Sequence, residues 1–201
     1  MSIWIDLLII GVSIGALYGM LALSVSLIYA SLDIIHFAQG EIFTLGAFLG
    51  WVLFTRGVPM IPTILLASFA TALVAIIIQK CIYNPILNMG GGFSIRGLTF
   101  VVAGFGMSAI LQNAYWLIWG AVSKSYDANF GDPVQLGSVS VQPVYLVVIV
   151  VALIVMALLH LMFKKTKIGL AMKAVSYNKP ISALMGVNTR FIVSFAFGLA
   201  G

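Results

Sequence analysis

The six residues His36-Phe37-Ala38-Gln39-Gly40-Glu41 put an imidazole, an amide and a carboxylate into a run that is otherwise apolar, with Asp33 just ahead of them. These are ionisable or amide side chains placed where a span should be apolar. At the centre of a bilayer each costs about a few kcal/mol, and those that remain usually face a cavity or a partner. His36, Gln39 and Glu41 are therefore candidates to line or gate a polar pathway. Gly40 is a candidate point for the helix to bend or unwind, as the broken helices of transport sites do. The plain alternative is solvation of His36 and Glu41 at the membrane interface, or their mutual pairing, with Asp33 as the N-cap of a helix. Gln112 and Asn113 form a second polar pair, deep in another apolar run. Two adjacent amides there either hydrogen-bond across helices or line a wet cavity, and spacing alone does not separate the two.

Other patterns carry less chemistry. Gly11-Val-Ser13-Ile-Gly15 spells a nucleophile elbow. That motif needs a strand, a sharp turn and a helix with a histidine and an acid nearby, whereas here it lies within an apolar helix. His160 is the only other histidine, and no zinc-ligand spacing accompanies it, so no metal site is expected. Cys81 is the single cysteine, which excludes an intrachain disulfide, and it reads as a small packing residue. The phosphate-binding pattern G-x-x-x-x-G-K-[ST] does not occur, and no cofactor is expected.

The elements that must position these residues follow from composition. The 201 residues are 62% hydrophobic and only 7% charged, with a mean hydropathy of +1.17. Soluble domains carry about 25% charged residues, so this chain cannot cover a water-facing surface and its solvent is lipid. The formal charge of +5 sits in loops between apolar runs, without the interleaved stacking aromatics of a nucleic-acid face, so nucleic acid is not an expected partner. A hydrocarbon core about 30 Å thick takes about 20 apolar residues per helix. Five stretches qualify: Leu7–Ala30, Ile34–Phe54, Ile61–Tyr83, Leu98–Gly120 and Val144–Phe163. A sixth begins at Phe191 and stops at Gly201, so the chain reads as truncated within a sixth span.

Orientation comes from the loops. Lys164, Lys165, Lys167, Lys173, Lys179 and Arg190 lie between spans five and six with no acid among them, which places 164–190 in the cytoplasm. Counting back puts eight of the ten basic residues inside and the N-terminus outside. Trp4, Trp51, Trp116 and Trp119 then all fall at outer ends of spans, the headgroup level that indoles favour. The outer loop Ala121–Gln142 is rich in turn formers (Asp127, Asn129, Gly131, Asp132, Pro133, Gly137) and is expected to form a small exposed structure. The inner loop is too long for a structureless connector, so short helices at the membrane surface are expected. Gly11, Gly15 and Gly19 in the first span, and Gly46 and Gly50 in the second, recur every four residues. That is a helix-packing spacing that says bundle rather than function.

The stretch His36-Phe37-Ala38-Gln39-Gly40-Glu41, followed by Gly46-Ala-Phe, resembles the hallmark of branched-chain amino acid ABC transporter permeases. That family typically reads Asn-Phe-Ala-His-Gly-Glu, so His36 and Gln39 depart while Phe37, Ala38, Gly40, Glu41 and Gly46 match. Gly106 to Gln112-Asn113, and Gly169-Leu-Ala171-Met-Lys173-Ala174 to Asn178, Gly186 and Asn188, extend the resemblance in order. The family usually has Arg where Lys173 stands, and Pro180 is tolerable only in a first helical turn after Asn178 as cap.

The resemblance implies an all-α polytopic bundle over residues 1–201, the inner-membrane permease subunit of an ATP-driven importer. It implies separate cytoplasmic ATPase subunits, a second permease subunit and an extracytoplasmic solute-binding protein as partners. Gly169, Ala171, Lys173, Ala174, Asn178, Gly186 and Asn188 would dock on the ATPase. Related permeases carry urea or short amides, and a secondary transporter or channel would use similar broken helices and buried polar groups. A membrane enzyme would need a nucleophile–base or metal constellation, which the sequence does not supply.

Overall fold

A computed structural model describes residues 2–32, 34–88, 93–126, 134–136 and 139–201. Asp33 lies outside them, as do all six turn formers named in the loop Ala121–Gln142 (Asp127, Asn129, Gly131, Asp132, Pro133 and Gly137). The helices are α1 (Ser2–Leu32), α2 (Gln39–Thr55), α3 (Met60–Ile78), α4 (Asn84–Asn88), α5 (Phe93–Trp119), α6 (Pro143–Lys165), α7 (Lys167–Tyr177), α8 (Lys179–Leu184) and α9 (Thr189–Ala200). A π-helical segment, Gln79–Tyr83, joins α3 to α4. Two three-residue strands, β1 (Val134–Leu136) and β2 (Val139–Val141), pair antiparallel in the loop between α5 and α6.

Among the described residues four helices are long and apolar enough to cross a membrane: Leu7–Leu32, Met60–Leu87, Gly97–Trp119 and Pro143–Lys165. Helix α2 has 17 residues, a rise of about 25 Å against about 30 Å of hydrocarbon. The expected second span from Ile34 starts five residues late. The helix opens at Gln39 because His36 and Ala38 are drawn into the core and fold residues 36–39 into a turn. In that turn the Gln39 N–H donates to the His36 carbonyl at 3.3 Å. Gly40 consequently sits in the first turn of an unbroken helix, not at a break within one.

The chain folds as two compact units, Met1–Leu23 with Asp127–Leu170 and Ser24–Tyr126 with Ala171–Gly201. In the first, a Cβ on Gly19 would lie 3.4 Å from the Met156 methyl, while one on Gly11 or Gly15 would point into open space. Ser13 donates to the Ile10 carbonyl one turn back at 2.8 Å, so the apparent nucleophile elbow is continuous helix. Pro143 opens α6, where its missing N–H is not needed, and Lys164 and Lys165 close it, where cations favour the helix dipole. Gly169 is pressed onto the preceding turn. A Cβ there would collide with the Met162 carbonyl oxygen and the Phe163 Cα, both backbone, so only glycine fits between α6 and α7.

In the second unit α3 lies against both α2 and α9. Its buried stripe is small and recurs every four residues (Thr63, Ala67, Thr71, Ala75), which lets backbones approach. A Cβ on Gly46 would lie 3.4 Å from Thr71 Cγ2, and one on Gly50 would lie 3.9 Å from Thr63 Cγ2. Pro85 explains the π segment. Its ring nitrogen cannot donate to the Cys81 carbonyl and its ring crowds that turn, so the helix widens, and the Asn84 N–H donates to the Gln79 carbonyl five residues back. Both Gln79 and Tyr83 are thereby buried. Cys81 is exposed on the same segment, contrary to its reading as a packing residue, because the burial of Gln79 and Tyr83 turns the intervening positions outward.

Candidate functional site

The six-residue motif divides between two environments of the second unit. His36, 2% exposed, enters a buried polar knot. Its Nδ1 shares a 2.6 Å hydrogen bond with Tyr83 Oη, with the donor set by the tautomer. The two rings meet edge to face, and Phe197 of α9 lies 5.5 Å from the imidazole centroid. Gln39 donates from Nε2 to the Ala200 carbonyl at 2.7 Å and to Ser24 Oγ at 3.1 Å. Gln79, fully buried on the π segment, accepts from Ser194 Oγ at 2.8 Å. The knot therefore joins the connector 34–38, α2, the π segment and α9. Burial in this connector holds the His36 imidazole down, to about 4, so the ring stands neutral at pH 7. His36 Nε2 and Gln39 Oε1 are buried without a hydrogen-bond partner. Such orphans cost about 1–3 kcal/mol each.

Glu41 faces the other way. Gln39 and Glu41 are two residues apart on a helix, about 200° around its axis, so they cannot share a face. Glu41 Oε1 accepts from Ser108 Oγ of α5 at 3.2 Å, and its carbonyl accepts from Tyr115 Oη at 2.7 Å. The alternative of a His36–Glu41 pair is not formed, since His36 bonds Tyr83 and Glu41 bonds Ser108. Next to them Phe37 stacks on Phe105 at 4.5 Å, over Gly104, whose missing side chain lets the connector pass.

Glu41 lines a cavity of about 540 Å³ between α2 and α5, walled by Thr44, Phe48, Trp51, Gln112, Tyr115 and Trp116. That volume is ordinary for a small-molecule site. Gln112 lines it, whereas Asn113 donates back to the Ala109 carbonyl of its own helix at 2.7 Å. The two amides thus part company. Residues 120–126 strap the mouth: Trp51 Nε1 donates to the Ser125 carbonyl at 3.1 Å, and Tyr126 Oη to the Ala47 carbonyl at 2.7 Å. The phenol tip of Tyr126 lies over Gly50, and burial raises the pKa of that phenol. Lys124 Nζ sits 5.2 Å from the Trp51 ring centroid. Phe48 stacks on Trp119 at 4.9 Å, so three of the four tryptophans gather here.

The basic segment after α6 forms short helices, and several of its singled-out residues shape turns. Asn178 Oδ1 accepts from the Ile181 N–H at 3.0 Å and caps α8, with Pro180 in its first turn. Asn188 Oδ1 accepts from the Phe191 N–H at 3.1 Å and caps α9. Gly186 adopts φ 85°, the left-handed conformation that favours glycine. Lys173 is exposed, and Ala171 and Ala174 are half-buried. Tyr177, Leu184 and Met185 add a strongly exposed apolar surface that residue spacing did not flag.

Tyr83, Gln79 and Ser194 were not legible as site residues either, although Pro85 in an apolar run was the available sign of an irregular helix. Ser108, Tyr115 and Lys124 carried no sign in the sequence.

Apolar spans of this length, with polar side chains turned inward upon one another or into a cavity, define a polytopic α-helical membrane protein. Residues 7–201 match the family described as branched-chain amino acid transport system / permease component, and the chain belongs to that family. It is similar to the high-affinity branched-chain amino acid transport system permease protein BraD of Pseudomonas aeruginosa, 24% identical over 96% of this chain and 66% of the relative. It is also similar to LivH, a permease protein of the same description, of Escherichia coli K12, 23% identical over 93% of this chain and 63% of the relative. The chain thus spans just under two thirds of the length of these curated relatives. No solved structure matches it.

Proposed function

We propose that the chain is the permease subunit of an ATP-driven importer that passes branched-chain amino acids inward by alternating access. The observation that carries this reading is the splitting of the family's own hallmark. His36 and Gln39 tie α2 to the π segment and α9, while Glu41 opens onto a cavity large enough for a small solute. Motion of α9 would be felt at α2 through the Gln39–Ala200 bond, and α9 directly follows the segment proposed to couple.

That segment, 164–190, is assigned to the cytoplasm by its lysines, with the N-terminus outside and the inner membrane as location. Its capped turns make a rigid element on which ATPase subunits can push, and Tyr177, Leu184 and Met185 offer them an apolar surface. Gly169, Ala171, Lys173 and Ala174 belong to the same docking element. ATP hydrolysis would reside on those partner chains, beside a second permease subunit and a solute-binding protein.

Co-purification tests the reading. The full-length chain should bring down ATPase subunits, and their turnover should rise with binding protein loaded with leucine but not with urea. Leu184→Asp, on a side chain 87% exposed, should release the ATPase while leaving the fold intact. If no ATPase accompanies the wild-type chain, the importer assignment fails.

A further inference from the structure

The cavity beside α2 contains a carboxylate with room in front of it. Glu41 is the third residue of α2, where a glutamate commonly reaches back to the N–H of its own cap or merely faces the positive end of the helix dipole. Here its Oε1 is drawn across the groove to Ser108 Oγ, and among the described residues no salt bridge engages it. Tyr115, anchored by its hydroxyl to the Glu41 carbonyl and only 4% exposed, lines the same cavity with Phe48, their ring centroids 5.6 Å apart. Gln112 of α5 lines the same space. A carboxylate in a cavity with aromatic residues in its lining is the chemistry that recognises an organic ammonium group, by a charge-assisted hydrogen bond and by cation–π attraction.

Resting on the permease reading, we infer that this cavity holds its solute by the ammonium end, with Glu41 as counter-ion and the half-buried ring of Phe48 in the wall beside it. Lys124 does not bind the carboxylate of the same molecule while it sits over Trp51. Glu41 and Trp51 lie ten residues apart on α2, a rise of about 15 Å. In an amino acid the ammonium nitrogen and the carboxylate carbon are only about 2.5 Å apart. Lys124 therefore acts at the mouth, where a cation attracts the carboxylate end. The solute's ammonium descends to Glu41 with its carboxylate trailing. A neutral amide or urea gains nothing from Glu41 comparable to an ion pair, so the cavity favours amines over amides.

The test is calorimetric binding to the full-length chain, purified with its membrane partners in nanodiscs. The probes are L-leucine, 3-methylbutylamine, 4-methylpentanoate and isobutyramide. Leucine and the amine should bind, and Glu41→Gln should weaken both at least tenfold, with Glu41→Asp recovering part of the loss. The carboxylate and the amide should bind at least tenfold more weakly than the amine. Should 4-methylpentanoate bind as tightly as 3-methylbutylamine to the wild type, the inference is wrong, whether or not the variants fold. Folded Glu41→Gln with unchanged leucine affinity would also overturn it. ATP-dependent leucine uptake into vesicles separates this from the parent reading: uptake indifferent to Glu41→Gln leaves the permease standing and removes the ammonium site. Glu41-dependent amine binding without uptake does the reverse.

Discussion

Two side chains two residues apart in the same motif meet opposite conditions. Gln39 is 4% exposed and bonded to Ser24 and Ala200, whereas Glu41 opens on a cavity. The knot around His36 and Gln39 behaves as a polar core, with Tyr83 and Gln79 closing it. The cavity around Glu41 has one polar contact for its carboxylate and an aromatic lining in which Trp116 is exposed. The difference teaches that a polar group among apolar helices serves one of two ends, holding helices together or facing a cavity. Which end a residue serves depends on the face of the helix it occupies. Substitution in the knot should therefore change stability, and substitution in the cavity should change binding.

The sharpest contrast is Tyr83→Ala. Tyr83 is 1% exposed, bonds His36 and stacks on Phe100, so truncation should cost about 3–5 kcal/mol. Thermal unfolding of purified protein checks this, and a loss below about 1 kcal/mol would mean the knot holds nothing together.

Next comes pH. With the His36 pKa depressed from 6.5 to about 4, the folded chain keeps the ring neutral while the unfolded chain takes up a proton below 6.5. The stability that His36 contributes is fully present above pH 6.5 and is lost as pH falls toward 4. The Tm difference between pH 7.5 and pH 5 should accordingly be larger in the wild type than in His36→Asn, with Tyr83 the titratable side chain in contact. Equal differences would place His36 outside the knot in solution.

Gly50→Ala probes the cavity side. A Cβ there would lie 2.6 Å from Tyr126 Oη, the far end of a side chain that can swing away. The cost should stay near the value of the lost Ala47 bond, about 1 kcal/mol. Trp51 fluorescence should change as the strap shifts, and an unaltered spectrum would show that the strap is held elsewhere. The smallest effect on stability belongs to Trp116→Ala. This wall residue is 59% exposed, so Tm should move by no more than about 0.5 kcal/mol allows. Leucine binding should weaken nonetheless, and a large fall in Tm with unchanged binding would erase the distinction between the two regions.

Much of the architecture was legible because lipid imposes simple terms. Every backbone group must be paired within a helix, so apolar length predicts helices. Four long spans, the short helices after Lys165 and the Asn178 cap with Pro180 in the first turn all follow from that logic. The late start of α2 was not legible, since hydropathy does not register that His36 and Ala38 are pulled into a turn. Asn178, Gly186 and Asn188 looked like contacts for a partner, and the structure gives them turns and caps as well.

Local composition is enough to determine which segments enter a membrane and which polar residues are costly there. It cannot assign partners to those residues, because partners come from elements far away in the chain. His36 meets Tyr83 and Gln39 meets Ala200 only after α3 and α9 have packed. Glu41 faces a cavity only because α5 lies beside α2. The choice between knot and cavity is made by helix rotation and packing, and it is therefore a property of the tertiary structure.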